Sequence, residues 1–279
     1  MLAYRTHSTF DPVKRIKSID QVSNMTRVLF FNQYFNREPV IMPCLIDHWP
    51  ALGKWSPEYF KAEFGDEEVF VSNHDAGKES FMESFLKNEI LEMTLGEYVD
   101  AMTTMPSSRA LREEFEIFKM IPALYEDVCY FSPFSNREMA TTDDFYKALW
   151  FGPAEYVTGM HADSGHLNLF HLYGHKRILF FGPDQTDFLY EEKMEDTEAD
   201  EEIPEDVVNF YRDEVRWSRV DALNPDYTQH PLLKNAQYLE GRIAPGDVLY
   251  VPDQWWHTVQ SEDIAISLSA QFDEQNFLT

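Results

Sequence analysis

WFGPAEYVTGMHADSGHLNLFHLYGHKRILFFGPDQ (residues 150–185) is the stretch from which the rest of the chain is read. Within it LNLFHLYG (167–174) and KRILFFGP (176–183) are short apolar runs bounded by Gly and Pro, the punctuation of strands rather than helices. His161-Ala162-Asp163 stands at the end of a strand. Residues i and i+2 of a strand project to the same side, about 7 Å apart, so both can reach one metal ion. A third donor must then come from a neighbouring strand. His257 fits: it follows GDVLYVP (246–252) and the tight segment DQWW, and opens the strand HTVQ (257–260). Two histidines and one carboxylate on one face of an ion leave three positions open, the arrangement used for Fe(II). An HxD pair alone is weak, and His166, His171, His175 and His230 compete for the ligand role, His171 and His175 at plausible spacing.

Outward from this centre the strand pattern continues in FYKALWFGP (145–153) and IAISLSAQF (264–272). Many short strands at this spacing indicate a closed or sandwiched β architecture. The first 140 residues read as a mixed α/β segment packed on a core spanning 141–279, within one domain over 1–279. REPVIMPCLI (37–46) reads as an apolar strand, DHWPALGKW as a turn, and EVFVSN (68–73) as a strand. SPEYFKAEFG (56–65) reads as a helix with Ser56 as N-cap, Pro57 first inside it and Gly65 at its stop; Thr94 caps a second helix over 95–102. An acidic run at about 187–214, including Glu191, Glu192, Glu195, Asp196 and Glu198, reads as a solvated insertion, with a helix starting near Pro204. The expected class is therefore mainly β with flanking helices.

The net charge is −26 over 279 residues, which disfavours nucleic acid and anionic membranes as partners and favours approach of a cationic peptide or small molecule. Acidity also confers solubility without any partner. No run reaches the roughly 20 apolar residues needed to cross a bilayer, and MLAYRTHSTFDPVKR carries no signal-peptide pattern. Cys44 and Cys129 sit in apolar stretches without CxxC spacing and read as buried free thiols, as in a cytoplasmic protein.

The 150–185 stretch resembles the core of the Jumonji-C (cupin-like) Fe(II)/2-oxoglutarate oxygenases, most of all the small hydroxylase branch that includes factor inhibiting HIF. GRIAPGDVLYVPDQWWHTVQSEDIAISLSAQF (241–272) resembles the second metal-binding strand and return strand of that family, and REPVIMPCLIDHWPALGKWSPEYFKAEFGDEEVFV (37–71) the segment before its barrel. The resemblance implies a double-stranded β-helix (jelly-roll) core, with His161, Asp163 and His257 as iron ligands and 2-oxoglutarate and O₂ as cosubstrates. It also implies a cosubstrate lysine fifteen residues after the first His, where Lys176 stands. A cation at the start of KRILFF can meet a distal carboxylate, although an exposed strand-end lysine is the plain alternative and Arg177 can play either part. Thr158 matches the branch's hydroxyl against the same carboxylate. Asn168 resembles its cosubstrate amide but lies one residue late, and such a shift reverses the face of a strand unless a bulge absorbs it. Ser267 and Ser269 alternate with apolar neighbours toward the interior. Trp150 serves as pocket wall or plain core, and one of Trp255 and Trp256 faces the barrel mouth. The family's cosubstrate Tyr has no counterpart in RALREEFEIF (109–118), leaving Tyr130, Tyr156 or a water.

By this resemblance the substrate is a residue in a protein or peptide, or alternatively a small-molecule metabolite. Homodimers are common in the branch. A non-catalytic cupin-like scaffold is the rival of another class. A cosubstrate-independent cupin would need His171 or His175 at the metal and no Lys176.

Overall fold

The structure, a computed structural model, describes residues 14–73, 90–104, 109–111, 117–129, 134, 146–192 and 215–272. Eight strands form its centre: β1 (Tyr146–Gly152), β2 (Val157–Asp163), β3 (His166–Tyr173), β4 (Lys176–Phe181), β5 (Gln237–Ile243), β6 (Val248–Val251), β7 (Trp256–Ser261) and β8 (Ala265–Phe272). One sheet runs β5-β4-β7-β2 and the other β6-β3-β8-β1. Successive strands thus alternate between two facing sheets except at β4 and β5, which are antiparallel neighbours in one sheet, and this is the double-stranded β-helix. Further strands extend both: the expected strand at Val40–Met42 joins β6, while two that were not foreseen, Lys14–Ser18 in parallel on β5 and Val215–Ser218 with Glu191–Glu192 on the β2 edge, complete the sheets.

Alternation along the strands builds three apolar layers. Leu169, Ile178, Phe180, Leu249 and Val251 meet between the sheets. On the outer face of the β6-β3-β8-β1 sheet, Phe151, Phe170, Tyr250 and Leu268 pack against Phe30, Trp49, Trp55 and Phe60 of the N-terminal segment. Trp49 stacks on Phe170 with centroids 4.9 Å apart. The outer face of the other sheet buries Met160, Leu179, Phe181 and Trp256 beneath Leu189, Val220 and Leu233. Each fully buried side chain of this size contributes roughly 1.5–3 kcal/mol.

The N-terminal helices follow their local signals. Ser56 Oγ accepts from the Tyr59 amide (3.1 Å) to start the helix Pro57–Phe64. Thr94 and Glu97 exchange hydrogen bonds of 3.2 and 3.0 Å, a capping box that opens Leu95–Thr104. Glu68–Asn73 is a strand as expected. Two readings change. DHWPALGKW contains a helix, Pro50–Lys54, because Pro50 supplies the fixed φ of a first helical turn. The strand in REPVIMPCLI covers only Val40–Met42, since Pro43 cannot donate to the ladder and Cys44 takes φ 59°. That turn carries Cys44 outward, and both cysteines are exposed rather than buried. Of the acidic run, 193–214 lies outside the described residues, with its expected helix. Among the described residues no helix is long and apolar enough to cross a membrane.

One turn matters for the site. Gly174 links β3 to β4 at φ 74°, and a Cβ there would lie 2.1 Å from the Ile264 carbonyl oxygen. Gly174→Ala is expected to lower stability by about 1–3 kcal/mol in urea denaturation. Gly53→Ala, in a helix with nothing within 4 Å of the new methyl, should be neutral or stabilising by up to about 1 kcal/mol.

Candidate metal centre and its cavity

A bulge makes the centre. β2 and β7 pair with His257 opposite His161 and Val259 opposite Thr158, so the register slips by one residue between them. Without the slip Thr158 and His161, three residues apart, would face opposite sides. With it both line one cavity, together with Asp163, His257 and Lys176.

The donors of His161, Asp163 and His257 all lie within 4.8 Å of one another. His161 Nδ1 donates to the Gly159 carbonyl (2.8 Å) and His257 Nδ1 to the Trp255 carbonyl (3.0 Å). Each imidazole therefore turns its bare Nε2 toward Asp163, at 3.9 and 3.7 Å from the two carboxylate oxygens. Those separations are too long for hydrogen bonds, so the donors converge on a shared point without satisfying one another. Burial holds both imidazoles neutral, pushing each down to about 4, with His161 adding to the effect at His257. Burial likewise raises the Asp163 carboxyl, against the pull of His257. Neutral imidazoles with carbonyl-fixed tautomers, plus one carboxylate, suit a divalent ion such as Fe(II) with positions left open. The residues fit the group.

Across the cavity lies a lone cation. Lys176 is buried on the inward face of β4, beside Ile178 and Phe180. Burial alone pushes its ammonium down to about 7, and among the described residues no carboxylate pairs with it. Arg177, on the opposite face, pairs with Glu240 at 2.7 Å. Leu167, Leu169, Leu249, Val251 and Val259 wall the space between Lys176 and the triad. Trp150 completes the wall and donates from Nε1 to Ser269 Oγ (2.9 Å).

Other expected residues fall elsewhere. Asn168 does not line the cavity: Leu167 and Leu169 take the inward positions of β3, while Asn168 shares the outward face with Phe170. The irregularity in β3 falls at Leu172, between Tyr173 opposite Ile266 and His171 opposite Ser267, and pairing is regular through Asn168, so nothing absorbs the one-residue offset. Ser267 faces inward but lies outside the cavity lining, bonded to His171 Nδ1 (2.8 Å); Ser269 is the serine of that strand that reaches the cavity. Trp255 packs on the interior cluster and Trp256 on the outer layer, with Nε1 on Thr186. Tyr156 is buried away from the cavity lining, and Tyr130 lies outside the described residues.

The competing histidines are occupied or remote. His171 Nε2 donates to the Gly174 carbonyl (2.7 Å) while Nδ1 meets Ser267, and burial holds the ring neutral at about 3, aided by Lys176. His175 is exposed and bonded to Asp263, and His166 meets Tyr250 (2.9 Å). His230 packs edge-on against Tyr190. A cupin with a third metal histidine from this set is thereby excluded. Sequence reasoning missed Val215, Trp217 and Gln271, all lining the cavity. The alternation of VRWS (215–218) was the available signal, hidden behind the acidic run.

A cupin-like domain family model matches residues 27–276. The chain is 28% identical to lysine-specific demethylase 8 of Xenopus tropicalis, covering 84% of this chain and 47% of that protein. It is 29% identical to Jumonji C domain-containing protein 5 of Drosophila melanogaster, covering 94% and 62%. Against the human bifunctional peptidase and (3S)-lysyl hydroxylase JMJD7 the figures are 28%, 83% and 77%. The chain thus spans about half to three-fifths of the first two relatives.

The buried ammonium yields a pH signature. Its folded pKa, about 7, lies below the unfolded 10.5, so the folded state resists protonation. The penalty is full below pH 7 and fades as pH rises to 10.5. Urea unfolding of the metal-free protein should therefore show stability gained between pH 7 and 10.5. Lys176→Met should lack that gain and be more stable at pH 7 by roughly 1–4 kcal/mol.

Proposed function

The chain belongs to the cupin-like domain family, and from that premise we propose that it is an Fe(II)- and 2-oxoglutarate-dependent oxygenase hydroxylating a C–H bond of an amino-acid residue in a protein or peptide. The observation that carries this reading is the buried Lys176, a cation without a carboxylate partner among the described residues, in the same cavity as the triad. A simple metal-binding cupin has no use for it, whereas an acid with a far carboxylate needs it.

When bound, iron with 2-oxoglutarate and O₂ supplies the oxidation, which inserts oxygen into the C–H bond and converts the cosubstrate to succinate and CO₂. His161 and His257 present Nε2 and Asp163 its carboxylate to the ion. Lys176 holds the distal carboxylate of the cosubstrate, with the Thr158 hydroxyl on the same cavity wall. The leucines and valines between these ends exclude water, which strengthens the Lys176 ion pair. Trp150 fixes one wall through its bond to Ser269.

The names of two relatives refer to lysyl chemistry, a (3S)-lysyl hydroxylase and a lysine-specific demethylase, which supports a protein residue as target here. The net charge of −26 suits approach to a cationic peptide. Hydroxylation of a small metabolite is the second reading, favoured by the same cavity.

Anaerobic addition of Fe(II) and 2-oxoglutarate should produce the weak visible charge-transfer band of a bound iron and 2-oxo acid. Lys176→Ala should weaken 2-oxoglutarate binding at least about tenfold. Absence of the band in the unaltered protein would leave a non-catalytic scaffold. Succinate release above the uncoupled rate, scored over peptide and metabolite pools, decides between the two substrate classes.

A further inference from the structure

The strand Val215–Ser218 is an addition to the β2 edge, and it stands directly against the metal ligands. Trp217 is registered opposite His161 and Val215 opposite Asp163. The Trp217 indole stacks on the His161 imidazole with centroids 5.2 Å apart and planes at 23°. Trp217 is 5% exposed and lines the cavity. His257 has a looser counterpart, Phe180 at 6.1 Å and 31°.

The added strand is fastened from its other face. Arg216 forms two bonds to Glu191, of 2.6 and 2.8 Å, and a third to Gln254 Oε1 at 3.2 Å. Its guanidinium lies 5.0 Å over the Trp256 ring. The Gln254 backbone N–H donates to the Asp163 carbonyl (3.1 Å), and Ser218 Oγ donates to the Leu189 carbonyl. Trp217 is therefore pinned to the two ligands of β2 from both faces of the strand.

We infer that Trp217 is a positioning residue for the metal centre, holding the His161 ring by its face and strengthening its hold on a divalent cation. The inference rests on the metal-centre reading above. Gly159 fixes the imidazole edge, but one hydrogen bond still permits the ring to tilt about it; a stacked indole removes that freedom. Coordination also draws electron density from the imidazole, giving it cationic character. An indole face, the most electron-rich of the aromatic side chains, then attracts the metal-bound ring more than the free one. By linkage, that difference appears as metal affinity.

The test is Co(II) binding by the full chain, measured by competition with a chelator of known affinity, for the unaltered protein, Trp217→Phe and Trp217→Leu. Leu retains apolar bulk without a π face, and Phe retains the face. Trp217→Leu should bind Co(II) roughly three- to tenfold more weakly, while Trp217→Phe stays within about twofold. The metal-free thermal midpoint of each variant separates this from loss of fold. Should the Leu variant not fold, Trp217→Met, which fills irregular space flexibly, takes its place. Equal affinity in the Leu (or Met) variant, or a Phe variant as weak as it, overturns the positioning role while leaving the centre intact. Failure of the unaltered protein to bind Co(II) overturns both the metal-centre reading and this inference.

Discussion

His257 and His161 face each other across an antiparallel ladder with ring centroids 4.1 Å apart, and everything else in the site depends on neither being charged. Two imidazolium ions at that distance, shut away from water, would repel strongly. Burial between the sheets removes the proton from each, and the carbonyls of Gly159 and Trp255 decide which nitrogen keeps its hydrogen. What remains is two lone pairs and one carboxylate aimed at a single point. The one-residue slip between β2 and β7 is what allows this, since it returns both Thr158 and His161 to the inside of the barrel.

The second constraint is the opposite one. Lys176 is a charge that the fold buries without a neighbouring carboxylate among the described residues, at a cost to stability that loss of its proton, or an anion brought against it, would relieve. His171 is kept neutral by burial and by the Lys176 charge itself, while its bonds to Gly174 and Ser267 fix the ring, so it does not repel the ammonium further. The cavity thus has three convergent donors at one end and a buried ammonium at the other, joined by apolar walls.

How much of this was legible in the chain differs by residue. The strands carrying the triad were readable because Gly and Pro bound them and because i, i+2 spacing on a strand is unambiguous. The helices at 57–64 and 95–104 followed from Ser56, Pro57 and Thr94, whose capping is local chemistry. The same locality explains the misses. Cys44 sits among apolar letters, yet Pro43 ends the strand and turns it outward. Asn168 required knowing where in β3 a bulge fell, and bulges are set by tertiary pairing; the one in β3 lies at Leu172, too late to turn Asn168 inward, while the one in β2 rescues Thr158. Trp217 belongs to a four-residue strand whose partner is fifty-six positions earlier in sequence, so no local signal tied it to His161.

The central claim is that three donors of this chain share one divalent ion while Lys176 holds the far end of a 2-oxo acid. A crystal grown with Mn(II) and 2-oxoglutarate tests it most directly. The account predicts an anomalous peak within about 2.0–2.3 Å of His161 Nε2, Asp163 and His257 Nε2, with the distal carboxylate of the acid at hydrogen-bond distance from Lys176 Nζ. A peak elsewhere, or an acid bound without touching Lys176, would contradict it.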